Sequence, residues 1–335
     1  MKESMTQQDL SQQDLSIPVM RERIEFKPKF VERYTQLTDF ESFKTASLAY
    51  IRKCIRVNTL KSSVPEIKKR LNKDWDLKPV PWCKEGLWIE YKHPDSSGRK
   101  RRDIGNLLEH ALGYFYVQEA ASMIPPVVLQ PKKDSTVLDL CAAPGSKTTQ
   151  IASMMGNTGL IVANDLDMNR LASLGLNIQR CGLTNTVVTK MYGQQFKRCN
   201  LQFDFILADV VCSGTGTIRK SLQVLEQWSP GLVQRMVKEQ KSLARTAFEK
   251  LAPRGTMVYS TCTMEPEENE GVVQFLLDTF DNLKLEKITL PLKRSPTIDS
   301  FEGATYSSEI KKCLRIWPQD NDTEGFFVAK IKKVK

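Results

Sequence analysis

Two cysteines stand where packing alone is a poor explanation. In "LADVVCSGTGTIRK", Leu207 to Lys220, an apolar run ends in Asp209 and then Cys212, followed by a glycine-rich turn and the cations Arg219 and Lys220. In "MVYSTCTMEPEENEG", Met257 to Gly271, another apolar run climbs to Cys262 and breaks into acidic residues around Pro266. A free cysteine taken alone is more often a small buried hydrophobe than a reagent. A thiol sharing a short turn with a carboxylate is equipped for nucleophilic chemistry, because the thiolate is the attacking form and a neighbouring group sets its charge. The chain has 8 cysteines but only 2 histidines and no CxxC spacing, which argues against a zinc site and for reduced thiols in the cytosol.

A third stretch, "LDLCAAPGSKTTQ" from Leu138 to Gln150, follows an apolar run with a turn of small residues. It is neither GxGxxG nor GxxxxGK[ST], because Leu140 occupies the place of the first glycine. Small side chains and a bent backbone still let a ligand approach the strand end, with helix amides beyond it. A carboxylate or a ribose suits such a turn, and so does a ligand-free strand-to-helix connection. About twenty residues on, the next apolar run closes on Asn164 and Asp165, where an acid suits ribose hydroxyls. Asp165 or Asp167 equally suits the N-cap of the following helix.

These residues need a scaffold. From about Thr136 the runs "TVLDL", "GLIVAND", "TVVTK", "FDFILAD", "GTMVYST" and "GFFVAKI" alternate with helical stretches such as "PGLVQRMVKEQKSLARTAFEKL". Strands regularly separated by helices argue for a doubly wound α/β domain, its parallel sheet covered on both faces. Ligands bind such sheets beyond the carboxyl ends of the strands, so Asp165, Asp209, Cys212 and Cys262 converge on one rim. Upstream, residues 23–126 read as a small α+β accessory domain, with "CIRVNTL" and "GLWIEYK" as strands and "VPEIKKRLN" as a helix. Residues 1–22 are Gln/Ser-rich without apolar periodicity and read as a mobile tail; residues 127–335 read as the doubly wound domain.

The balance of 49 basic against 39 acidic residues, a net charge of +10, favours a polyanionic partner, nucleic acid above all. "KHPDSSGRKRRD" gathers Arg99, Lys100, Arg101 and Arg102 after a turn, either as a solvated loop or as a phosphate clamp. No run approaches the roughly 18 apolar residues of a membrane helix, so a soluble protein is expected.

Taken in order, "VLDLCAAPGSKTTQIA", "IVANDLDMNRL", "DVVCSGTGTIRK", "MVYSTCTMEPEENEGVV" and "CLRIWPQDNDTEGFFVAKI" resemble the Sun/RsmB family of S-adenosylmethionine-dependent RNA cytosine-5 methyltransferases. The resemblance reaches upstream to "IRVNTLK" and "GYFYVQEAASMIPP", covering residues 25 to 335, and is closest to the branch that methylates tRNA. It implies a Rossmann-like class I methyltransferase domain with a mostly parallel seven-stranded sheet, plus an N-terminal α+β RNA-binding domain. It also implies that Cys262 adds to cytosine C6 and so activates C5. Asp209 would hold ring N3 and the exocyclic amine, Cys212 would assist breakdown of the adduct, and Lys147 would support the reacting base. The cofactor loop would be Cys141, Ala142, Ala143, Pro144, Gly145, Ser146 and Lys147, with Asp165 on the ribose and Arg170 and Asp209 close by.

RNA would meet Arg52, Arg56, Asn58, Arg99, Lys100, Arg101, Arg102, Arg219 and Lys220. The implied partner is RNA, tRNA ahead of rRNA, with no metal and a monomeric, cytoplasmic enzyme; an impaired RNA-binding homologue is the alternative. Two positions depart from the family pattern. Val211 precedes Cys212 where proline is usual, and Tyr192 stands before Gly193 where aspartate usually contacts adenine.

Overall fold

The computed structural model describes residues 24–96, 98 and 100–335; the segment 1–22 and Arg99 lie outside the described residues. Helix α1 (Pro28–Leu37) starts on a proline, whose fixed φ suits a first helical turn, and α2 (Phe40–Leu48) is capped by Asp39, which accepts from the Ser42 amide. Phe30 and Tyr34, one turn apart, join Phe43 in an aromatic cluster with Trp228 and Trp317, far along the chain.

Strands β1 (Cys54–Val57), β2 (Trp75–Val80), β3 (Cys83–Tyr91) and β4 (Phe115–Val117) form an antiparallel sheet in the order β2-β3-β1-β4. Helix α3 (Val64–Leu71), capped by Ser63, packs Ile67 and Leu71 onto it. Strand β2 was not legible from the sequence because Pro79 cannot donate to a ladder and breaks the apolar run.

After the short α4 (Ile124–Leu129) the expected α/β alternation begins. It runs β5 (Thr136–Asp139), α5 (Ser146–Met155), β6 (Leu160–Asp165), α6 (Met168–Cys181), β7 (Thr186–Lys190), β8 (Phe203–Asp209), α7 (Pro230–Lys250), β9 (Leu251–Thr261), α8 (Glu270–Thr279) and β10 (Leu283–Glu286). A ribbon of β11 (Ser300–Phe301) and β12 (Ala304–Thr305) precedes β13 (Leu314–Ile316) and β14 (Phe326–Lys333).

Seven strands lie in the order β10-β14-β9-β8-β5-β6-β7, and an eighth, β13, pairs with β14. Strands β5 to β9 are parallel, whereas β14 enters antiparallel to β9 and carries β10 and β13. Strands β6 and β9 are buried along most of their length because helices cover both faces, which is why they read as continuous apolar runs. The accessory sheet packs Cys54, Trp82 and Trp88 into the same core as Ile151 and Met155 of α5. Among the described residues no helix is long and apolar enough to cross a membrane.

Candidate active site

The chain winds outward from β5 in both directions, so the strand order reverses between β5 and β8 and opens a crevice beyond their carboxyl ends. Strand β5 ends in Asp139, β6 in Asp165 and β8 in Asp209, and register sets Asp209 beside Ser260 of β9. One residue past β9 comes Cys262.

Cys212 and Cys262 are free thiols, partly buried, with their Sγ atoms 3.3 Å apart. The hydrogen bond with Cys262, followed by burial, pushes the Cys212 thiol well above its ordinary range. Cys212 is therefore held protonated beside Cys262. Lys147 Nζ lies 2.7 Å from Asp209 Oδ2 and 3.2 Å from Ser122 Oγ. Burial works against the Lys147 charge, but Asp209 and then Cys262 outweigh it and raise its pKa, so it stays an ammonium. The Ser260 hydroxyl donates to Asp209 Oδ1 at 2.7 Å.

The loops carrying these groups are fixed by buried contacts. The Gly216 amide donates to the Cys262 carbonyl at 2.9 Å, and a Cβ on Gly216 would sit 2.7 Å from that same oxygen, so only glycine fits. Val211, in place of the usual proline, is held through its carbonyl by Gln240 Nε2 at 2.9 Å, and Gln240 also donates to Glu268 at 2.7 Å. Beyond Cys262 the acidic stretch turns inward. Glu265 takes Arg33 Nε at 2.7 Å, and Glu270 takes Arg315 through two nitrogens at 2.9 and 2.6 Å.

On the neighbouring strands, Asp165 accepts the Ala143 amide at 3.2 Å and the Asp167 amide at 3.1 Å. The N-cap of α6 is Asp167, which leaves Asp165 at the crevice. Arg170 bridges Asp165, at 3.3 Å, and the Ala143 carbonyl, at 2.6 Å. Gly145 has φ +101° and a Cβ there would meet Leu174 at 2.7 Å, which explains the glycine of the turn. Burial drives the Cys141 thiol far up and keeps it unreactive.

Two cavities meet at this rim. One, of about 530 Å³, is lined by Cys141, Asp165, Arg170, Tyr192 and Val211, with Leu140, Met191 and Leu243 as apolar wall. The other, of about 440 Å³, is lined by Pro144, Ser146, Lys147, Asp209, Cys212, Lys220 and Cys262. They share Cys141, Arg170 and Val211. Ala142 is buried behind the turn, while Ala143 borders the second cavity. Glu119, Ser122, Glu324 and Phe326 also line that cavity; their motifs "VQEAAS" and "TEGFF" were visible in the sequence, but nothing in them marked these side chains.

Three residues expected on RNA face inward instead. Arg56, 2% exposed, donates to Gln118, to the Ser146 carbonyl at 2.6 Å and to Thr149 at 2.8 Å, tying β1 to the start of α5. Asn58 donates to the carbonyls of Gly113 and Cys181 at 2.9 and 2.8 Å. Buried Arg219 binds the Thr323 and Tyr50 carbonyls at 3.1 and 2.7 Å and Asp322 at 2.8 Å. The structure leaves Arg52, Lys100, Arg101, Arg102 and Lys220 at the surface; Arg52 lies over Trp88 and Arg102 over Tyr50, at 4.0 and 4.9 Å.

Comparison with known proteins places this geometry. Residues 126–332 match the model of 16S rRNA methyltransferase RsmB/F, and residues 26–120 match that of the N-terminal domain of 16S rRNA methyltransferase RsmF. The tRNA (cytosine(49)-C(5))-methyltransferase of Pyrococcus abyssi is 46% identical over 91% of this chain and 96% of its own length. Ribosomal RNA small subunit methyltransferase F of Shewanella oneidensis is 39% identical over 93% of this chain, which spans 64% of that longer protein. Among solved structures, a methyltransferase homologue from Pyrococcus horikoshii superposes with a TM-score of 0.81 at 36% identity, covering 96% of this chain and all of its own. NSun6 from the same organism, solved with SFG, gives 0.79 at 25% identity over 92% of this chain and 99% of its own. With the crevice, the thiol pair and these matches in agreement, the chain belongs to the RsmB/F family of RNA methyltransferases.

Proposed function

We propose that this protein transfers a methyl group from S-adenosylmethionine to C5 of a cytosine in RNA, with tRNA as the substrate. The observation that carries the reading is the Cys212–Cys262 pair, 3.3 Å apart beside the Lys147–Asp209 ion pair, in a cavity that shares walls with another. Cytosine C5 is a poor nucleophile until a thiolate adds to C6. Cys262 forms the S–C6 bond while Asp209 holds N3 and the exocyclic amine and favours ring protonation. S-adenosylmethionine, when bound, supplies the methyl group as an electrophile. Once Cys262 is bound to C6, its hydrogen bond no longer raises the Cys212 thiol; Cys212 gives its proton to solvent and, as a thiolate, takes the C5 proton while the C5–C6 double bond re-forms and the S–C6 bond breaks to release Cys262 as a thiolate.

The residues fit that cofactor. In the cavity of about 530 Å³, the Asp165 carboxylate suits ribose hydroxyls and the walls of Leu140, Met191 and Leu243 suit an adenine. Asp139 Oδ1, buried and without a partner among the described residues, offers an acceptor at the adjacent strand end. Cys141 to Lys147 with Arg170 would hold the remainder, and Tyr192 at the mouth would stack on or hydrogen-bond the adenine. The Pyrococcus horikoshii NSun6 structure, solved with the S-adenosylmethionine analogue SFG, supports this.

Residues 127–335 are the methyltransferase domain and residues 23–126 the RNA-binding domain. Arg52, Lys100, Arg101, Arg102 and Lys220 meet phosphates, and the target base leaves its stack to reach the pocket. For tRNA speaks the Pyrococcus abyssi relative, matched over 96% of its length; for rRNA speak the family description and the longer Shewanella oneidensis relative. Transfer of labelled methyl to tRNA and rRNA transcripts, with mapping of the modified base, separates the two. Labelled 5-methylcytosine in tRNA supports the reading, and label confined to rRNA moves the substrate.

A further inference from the structure

One carboxyl group on the wall of the second cavity has no part in the arrangement above. Glu324 is 4% exposed, and its Oε1 is shut off from solvent without a hydrogen-bond partner among the described residues. Burial raises its pKa, against the pull of Lys220, Lys147 and Arg219. A buried carboxyl without a partner is costly to fold around, so its partner is expected to arrive with a ligand.

Its backbone is held rigidly with respect to the nucleophile. The Glu324 amide donates to Glu119 Oε1 at 3.3 Å. The next amide, Gly325, donates to the Gly216 carbonyl, and the Gly216 amide donates to the Cys262 carbonyl, both at 2.9 Å. A Cβ on Gly325 would sit 2.4 Å from the Met264 sulfur, so this close approach requires glycine. Lys147 is no competing partner, since it is engaged with Asp209 at 2.7 Å.

Building on the methyltransferase reading, we propose that Glu324 is a specificity-determining residue that accepts a hydrogen bond from a donor of the target nucleotide. Two groups of cytidine supply that chemistry, the exocyclic amine and the ribose 2′-hydroxyl. Uracil places a carbonyl where the amine would be, and deoxyribose lacks the hydroxyl. A site built around a buried acceptor rejects the analogue without the matching donor.

The test is steady-state methyl transfer by wild type and Glu324→Leu, which has no acceptor, on RNA carrying cytidine, 2′-deoxycytidine or 2-pyrimidinone riboside, which lacks the amine, at the methylated position. Cofactor affinity and melting temperature are measured alongside. The variant should lose roughly tenfold or more in kcat/KM on cytidine with cofactor affinity unchanged. That loss should vanish on the one analogue that lacks Glu324's partner and persist on the other. Activity within about twofold of wild type on cytidine, or a loss of equal size on both analogues, overturns the proposal. Removing an unpaired buried carboxyl should not lower the melting temperature; if Glu324→Leu misfolds, Glu324→Ala is judged by the same criteria. No transfer by wild type to any RNA defeats the methyltransferase reading and this proposal with it, whereas wild-type transfer with an unaffected variant defeats this proposal alone.

Discussion

Lys147 Nζ and Asp209 Oδ2 stand 2.7 Å apart at the rim, and the remaining Asp209 oxygen takes the Ser260 hydroxyl at 2.7 Å. The pair puts a compensated charge, rather than a bare carboxylate, beside Cys262. Lys147→Met would leave Asp209 facing a developing thiolate, a like-charge arrangement that opposes attack on C6. Single-turnover methyl transfer at saturating cofactor should fall about 100-fold or more, the scale for losing one preorganised donor. Transfer close to the wild-type rate would contradict this.

Gln240 does for the Cys212 loop what a proline would otherwise do, by gripping the Val211 carbonyl and Glu268 at once. Gln240→Ala leaves buried groups without partners, so chemical denaturation should show a loss of about 1–3 kcal/mol. Gel analysis should also show the protein–RNA adduct persisting longer, because the loop bearing Cys212 is freed.

Glu268 makes stability depend on pH. Burial, partly offset by hydrogen bonds from Ser213 and Gln240, pushes its carboxyl from 4.5 up to about 7. The folded state thus keeps a proton that the unfolded chain has lost. The penalty is absent below the unfolded value, grows as pH rises between the two values and is complete above about 7. Relative to wild type, Glu268→Gln should gain on the order of 3 kcal/mol between the acid and the alkaline side of that window. Urea unfolding at both ends checks it, and a difference independent of pH would count against the assignment.

The candidate site was legible where a single strand end carries its residues. Asp165, Asp209 and Cys262 are each announced by an apolar run that stops at a polar residue, and parallel topology brings such stops together. What the local sequence hid are pairings across the chain. Arg56 lies in a strand buried on both faces, and its partners Ser146 and Thr149 are some ninety residues away. The glutamates after Cys262 read only as an acidic break in an apolar run, yet Arg33 and Arg315 draw Glu265 and Glu270 into the core. Glu324 and Phe326 sit in a motif whose order was recognisable, but only the approach of β14 to Cys262 turns them toward the cavity.

This distinction between inner and outer cations has a measurable consequence. Arg56→Met should lower the melting temperature and leave the salt dependence of RNA binding unaltered, because Arg56 is spent on internal carbonyls and hydroxyls. Lys220→Ala, at an exposed position on the cavity rim, should leave stability alone and reduce the slope of log affinity against log salt by about one. Filter-binding titrations at several salt concentrations separate the two.

The central claim is that Cys262 attacks the base and Cys212 releases it. The most direct measurement is labelled methyl transfer to tRNA by wild type, Cys262→Ala and Cys212→Ala, with each reaction run on a denaturing gel. The account predicts 5-methylcytosine with wild type, no product and no adduct with Cys262→Ala, and a covalent protein–RNA band with Cys212→Ala. Methylated cytosine from Cys262→Ala would contradict it.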